Sequence, residues 1–135
     1  SSNIPGNDLV ATLPSDPNRS ATGIRSNIRE SQGITKFAVI ISDTFGRPWR
    51  EGHINFAIGS AGIRPFDDYA DQVDTVGKPL RVTKIALTDV FAAASELVCR
   101  KTNSVPAALF RGFPFQDSGD DVSSLLRPIE KDLFR

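Results

Sequence analysis

The run Phe37-Ala38-Val39-Ile40-Ile41 constrains the fold of this chain more than any other stretch. Five consecutive apolar residues, β-branched at the end, predict a strand buried on both faces, because a strand with one wet face alternates apolar and polar side chains. Such a strand needs cover on both sides. Asp16-Pro17 has the pattern of a helix start, an N-cap carboxylate followed by a ring at the first helical position. Ala21, Ile24 and Ile28 recur at helical spacing, Arg25 and Arg29 fall elsewhere on the wheel, and Gly33 is a natural stop. Thr88-Asp89 opens a second helix through Ala92, Ala93, Ala94, Leu97 and Val98, with Asp89 as its cap. A short helix holding Val122, Leu125 and Leu126 is closed by Pro128. Further strands are expected over 9–13, 80–87 and 105–110. An irregular one over 54–63 carries Gly59 and Gly62, which suggest close backbone approach. Residues 42–48 read as a turn-rich polar stretch, and Asp67, Asp68, Asp71 and Asp74 as part of a surface loop. The class expected is α+β, a mixed sheet with about three helices, with 1–8 as a linker and 9–135 as one domain.

Charge and composition narrow the function. Sixteen Lys plus Arg balance sixteen Asp plus Glu in 135 residues, so neither a nucleic-acid grip nor a polybasic membrane anchor is expected. No apolar run approaches the roughly 20 residues of a membrane helix. Cys99 is the one cysteine and has no internal disulfide partner, which fits a reducing, cytoplasmic setting. The N-terminus lacks the basic start and apolar middle of a signal peptide. With no Met anywhere, a processed or excised segment is expected.

Several residues are candidates for chemistry on local grounds, each beside a plainer reading. Asp43 ends the apolar run, where a rigid element hands the chain to a loop; an Asx-turn explains it as well. Asp89 is explained by helix capping. The segment Gln116-Asp117-Ser118-Gly119-Asp120-Asp121 joins Gly, Ser and acids just before a short helix, and backbone amides there suit a phosphate while the acids suit its cation. It matches neither the phosphate loop nor the dinucleotide glycine pattern, so a solvated loop is the default. His53 is the single histidine, insufficient for a zinc site and without a recognisable nucleophile for a triad. Cys99 reads as an inert buried thiol. Trp49 between Arg47 and Arg50 reads either as a ligand-facing surface or as a packed indole among ordinary surface charges.

The stretch from Ile41-Ser42-Asp43-Thr44-Phe45-Gly46-Arg47-Pro48-Trp49-Arg50-Glu51-Gly52-His53 to Gly59 resembles the signature of the coenzyme F420:L-glutamate ligase family, also called F420-0:gamma-glutamyl ligase. Leu13-Pro14-Ser15-Asp16-Pro17 with Ser20-Ala21 resembles the family's first helix start. Thr88-Asp89-Val90-Phe91-Ala92-Ala93-Ala94 resembles its alanine-rich helix, and Phe110-Arg111-Gly112-Phe113 with Leu126-Arg127-Pro128 its closing segment. The resemblance implies a cytoplasmic, GTP-dependent ligase that joins L-glutamate to the deazaflavin precursor F420-0 through a GTP-activated carboxylate, with Mn2+ or Mg2+ on the phosphates and a homodimer as the assembly. By the same resemblance Asp43 and Asp89 would be metal ligands. Gly46, Ser118 and Gly119 would lie against the nucleotide, and Arg47, Arg50, His53 and Asp117 near substrate or phosphate. No catalytic residue is assigned. Val90 departs from the family, which usually has an acid there, and the family's N-terminal portion has no counterpart, so the chain is expected to be part of a longer parent. Two alternatives stay open: a non-catalytic dimerisation or assembly domain, and a related metal-dependent ligase with another carboxylate acceptor.

Overall fold

The computed structural model of the chain describes residues 10–70 and 72–132, so the expected linker 1–8 and Asp71 lie outside the described residues. The elements in order are α1 (Pro17–Gln32), β1 (Val39–Arg47), β2 (Arg50–Ala61), β3 (Phe66–Asp68), β4 (Lys84–Ala86) and α2 (Leu87–Cys99). Two 3-10 turns follow, Val122–Leu125 and Ile129–Lys131. β1 pairs with β2 and β3 with β4, both antiparallel, and the class is α+β as expected.

Helix α1 is bounded by the residues that predicted it. The Asp16 carboxylate accepts a hydrogen bond from the Arg19 N–H at 2.9 Å, which satisfies one of the unpaired donors of a first turn. Pro17 fixes the first helical φ. Gly33 ends the helix in the left-handed region at φ 67°, its N–H donating to the Arg29 carbonyl.

The central hairpin differs from its expectation in two ways. Residues 42–48 are not a turn: β1 runs through Asp43 and Thr44 to Arg47, because β2 supplies a ladder partner for each. The turn is confined to Pro48 and Trp49, with Trp49 at φ 58° in the position that usually calls for glycine. Nor is Val39–Ile41 buried on both faces; all three residues are half-buried in a sheet of only two strands. A bulge falls between Ile41 and Ser42, which oppose Gly59 and Ala57 and leave Ile58 as the extra residue.

Helix α1 reaches the sheet through two glycines. A Cβ on Gly59 would overlap the backbone of Pro17, and one on Gly62 would overlap the Arg25 guanidinium. The close approach expected of this glycine pair is therefore real, and the helix packs against it. The buried apolar cluster is small: Ala57, Ala92 and Val122, with Ile40 and Leu125 packed around it.

Three other expectations are corrected. Residues 10–13 and 105–110 form no strand, and of 80–87 only Lys84–Ala86 does, because an extended segment without a neighbouring strand has nowhere to send its N–H groups. The 105–113 segment is held instead by rings, Phe110 and Phe113 each standing edge-on to Phe91 of α2 at 5.1 Å. Helix α2 starts at Leu87, capped by Ala86 without a side-chain bond, so Asp89 is inside the first turn and its carboxylate is not the cap. The early start follows from the buried Leu87 and from the Thr88 N–H, which donates to the Pro65 carbonyl at 3.3 Å. The expected short helix at 122–126 is the 3-10 turn Val122–Leu125.

Gly59→Ala is expected to lower unfolding free energy by about 1–3 kcal/mol, because Pro17 must move to admit the methyl group. Gly23→Ala, mid-helix with nothing near its Cβ position, is expected to raise it by about 0.5–1 kcal/mol. Urea unfolding of the two variants beside the unmodified chain checks both signs.

Candidate functional site

Two clefts meet at Asn18, in the first turn of α1. Its side-chain oxygen accepts from the Ser60 N–H at 3.0 Å and its amide nitrogen donates to the Ser123 hydroxyl at 3.1 Å. One side chain thus ties β2 to the 122–125 turn, and both clefts take shape around that tie.

The first cleft, about 390 Å³, is lined mainly by apolar groups, Phe45, Phe56, Ile58, Val122 and Leu125 among them, with Asp89 as its acid. Asp89 comes from the first turn of α2, and its carboxylate accepts from the Ala57 N–H at 3.0 Å. In a two-stranded sheet alternate N–H groups of each strand lack a strand partner; the side chains of Asp89 and Asn18 take up two of those on β2. Burial pushes the Asp89 carboxyl above the usual carboxylate range, partly offset by the Ala57 N–H. No cationic side chain pairs with it among the described residues.

Asp43 stands opposite Phe56 in the ladder, next to the residue that holds Asp89. Strand alternation puts it on the face shared by Phe45 and Phe56, whose rings meet edge-on at 5.8 Å and border the Asp89 cleft. Its carboxylate accepts from the Thr44 N–H at 2.7 Å, the local bond that the plainer reading anticipates. On the opposite face a ring of hydrogen bonds closes. Thr44 donates to Asn55 at 2.9 Å, Asn55 to Glu96 at 3.1 Å, and Lys101 to Thr44 at 2.7 Å; Lys101 also pairs with Glu96 at 3.5 Å. The ring fixes β1 beside Asp43 against the end of α2.

The second cleft, about 310 Å³, lies between α1 and the loop 118–121. Ser118 and Gly119 line it. Asp117 is tied to Arg25 at 2.6 Å, while Arg25 also donates to the Phe37 carbonyl at 2.9 Å. Gln116 bonds through its backbone and side chain to Arg64, so the loop is anchored at its base. Gly46 and His53 face each other near the hairpin tip, and Arg47 opposes Arg50 across the turn; none of the four lines either cleft. Arg47 reaches back to the Glu51 carbonyl at 3.2 Å, Trp49 is exposed at the tip, and Cys99 is half-buried at the end of α2.

The candidates therefore fall into three groups: Asp43 and Asp89 around β2, Ser118 and Gly119 with Asp117 beside α1, and the four tip residues. The middle acids are used structurally. Asp68 pairs with Lys84 at 2.9 Å, and its carboxyl lies below the usual range, chiefly through the Ala70 N–H. Asp74 accepts from the Val76 and Lys78 N–H groups. No three His, Cys, Asp or Glu side chains cluster around an ion-sized space among the described residues. Of the two expected metal ligands, Asp89 lines a cleft and Asp43 lines neither. Asn18, Asn55, Glu96 and Lys101 carry no local sequence signal, since nothing marks a polar residue whose partner is 41 to 105 positions away.

The family model for F420-0:Gamma-glutamyl ligase matches residues 1–112. The chain belongs to this family. It is 43% identical over 130 residues to the coenzyme F420:L-glutamate ligase of Methanothermobacter thermautotrophicus, covering 94% of this chain and 51% of that protein. The ligase of the same name from Haloarcula marismortui is 41% identical over 135 residues, covering 99% and 51%, and that from Methanopyrus kandleri 37% over 131, covering 93% and 52%. The chain thus spans about half the length of the curated relatives it matches. No helix among the described residues is long and apolar enough to cross a membrane.

A carboxyl whose folded pKa is raised binds its proton more readily in the folded chain than in the unfolded one. Stability is then lost as pH rises from the unfolded value, 3.8, through the raised one. Asp89→Asn, which keeps an oxygen for the Ala57 N–H, removes that loss. The variant is expected to gain on the parent between pH 4 and pH 7, read from urea midpoints at both pH values.

Proposed function

We propose that the chain provides the metal- and GTP-binding part of a ligase that joins L-glutamate to F420-0. The observation that carries this reading is the 43% identity to a coenzyme F420:L-glutamate ligase over 94% of the chain. The reaction is amide formation. The γ-phosphoryl group of GTP activates a carboxylate of F420-0 as an acyl phosphate, and the amine of glutamate displaces phosphate. Mn2+ or Mg2+, when bound, neutralises charge on the phosphates. Asp43 and Asp89 are the residues that would hold it. The half-burial of Asp89 without a cationic partner supports that role, because a desolvated acid favours an incoming cation. The anchored loop carrying Ser118 and Gly119 would present backbone N–H groups to the nucleotide, with Gly46 as a further contact. Arg47, Arg50 and His53 at the hairpin tip, and Asp117 through its hold on Arg25, complete the proposed contacts. The proposed site of action is the cytoplasm, whose reducing setting suits the free Cys99.

The partner we propose is a second copy of this chain. The chain exposes 10601 Å², whereas a compact monomer of 14.7 kDa exposes about 6,900 Å². The thirteen residues not described account for at most about 2,100 Å² of the total, leaving roughly 1,600 Å² in excess. That is the scale buried by one partner of an obligate dimer, and Leu97, Leu109, Leu126 and Ile129 are all exposed. An assembly role alone would bury the same surface without binding nucleotide.

Titration calorimetry separates these readings. GTP is expected to bind only with Mn2+ present, and Asp43→Asn to weaken it at least tenfold. Equal binding in the variant would remove Asp43 from the site, and absence of GTP heat in a dimeric parent would favour pure assembly.

A further inference from the structure

A closed ring of side chains joins the end of α2 to the strand that carries Asp43. Across the ladder the Thr44 hydroxyl donates to the Asn55 side-chain carbonyl, and it accepts from the Lys101 ammonium. The Asn55 amide donates to Glu96, and Glu96 pairs with Lys101, which completes the circuit. Two features mark it as more than a surface strut. Asn55 is only 8% exposed, so both ends of its amide need partners, and Thr44 and Glu96 supply them. Beyond α2 the backbone is left-handed at Arg100, φ 49°, and again at Ser104, φ 54°. Residues other than glycine pay for that conformation, which persists only where surrounding contacts fix it. The chain turns at Arg100, and Lys101 returns onto Thr44.

The ring acts one bond away from Asp43. Thr44 follows Asp43 in the chain, and its N–H donates to the Asp43 carboxylate at 2.7 Å. With its side chain gripped by Asn55 and Lys101, Thr44 holds that N–H in one direction. The far side of the ring reaches the helix of the other candidate acid, since Glu96 stands about two turns along α2 from Asp89. Asp89 binds β2 at Ala57 and Glu96 binds it at Asn55, so α2 is fastened to one strand at both acids.

We propose that Thr44, Asn55 and Lys101 are positioning residues: their ring sets the rotamer of the Asp43 carboxylate and fixes its spacing from Asp89. The use of that spacing rests on the metal reading of the two acids; the placement does not.

Three variants of the full chain test it. Thr44→Val keeps the branched shape that suits a strand but loses the hydroxyl. Thr44→Ser keeps the hydroxyl, and Lys101→Met opens the ring at an exposed member, so it decides the matter should Thr44→Val fail to fold. Three-bond couplings in the 13C,15N-labelled chain read the Asp43 side-chain torsion without any ligand, and calorimetry reads Mn·GTP binding. One Asp43 rotamer is expected in the parent and in Thr44→Ser, and averaged rotamers in the two ring-opening variants, whose Mn·GTP binding weakens at least tenfold. A purely structural ring would lower thermal midpoints and leave the Asp43 couplings as they are, which would overturn the proposal. Averaged couplings in the parent, or in Thr44→Ser, would overturn it equally. A parent that ignores Mn·GTP while its couplings follow the ring would sink the metal reading and leave the positioning role standing.

Discussion

The backbone contact between Pro17 and Gly59 sets the rest of the structure. Because Gly59 has no Cβ, the first turn of α1 lies directly on β2, and everything that α1 offers is placed by that approach. One residue on, Asn18 reaches the Ser60 N–H and the Ser123 hydroxyl. Two turns further, Arg25 fills the space that a side chain at Gly62 would occupy, and there meets Asp117. A helix held a methyl group further off would lose all three contacts together. The same strand serves α2 through the Ala57 N–H and Asp89. β2 is therefore the bench on which both helices set their polar side chains, which matters in a chain whose buried apolar cluster is so small.

What the sequence makes legible follows from the range of the interactions involved. Helix α1 is readable end to end because Asp16, Pro17 and Gly33 act on their own neighbours within four residues. Gly59 and Gly62 announce a close approach, though not what approaches. The hairpin is half-readable. Its polar stretch through Asp43 and Arg47 has no apolar alternation, and only the ladder with β2 makes it a strand. Residues 105–110 fail for the converse reason, having strand composition but no strand to pair with. Asp89 looks like a cap from sequence because it is polar and opens a helical stretch; a start at Leu87 frees its carboxylate for a strand 32 residues away.

The candidate acids show the same division. Local pattern singles out Asp43 and Asp89 only beside a structural reading of each, and family resemblance raises them to metal ligands. The fold sets Asp43 on β1 opposite Phe56 and Asp89 of α2 on the Ala57 N–H, while tying Asp68 and Asp74 into turns and an ion pair. The loop acids separate by the same logic: Asp117 is spent on Arg25 and Asp121 caps the 3-10 turn, which leaves Asp120 open to the cleft.

The central proposal is that Asp43 and Asp89, which adjoin β2 at Phe56 and Ala57, hold a phosphate-bound cation. Paramagnetic broadening reads this most directly: amide spectra of the 15N-labelled chain are recorded with GTP as trace Mn2+ is added. The account predicts that the amides of Asp43, Thr44, Ala57 and Asp89 fade first, before those of Asp68 and Asp74. First loss at Asp68 and Asp74, or uniform loss across all exposed acids, would contradict it.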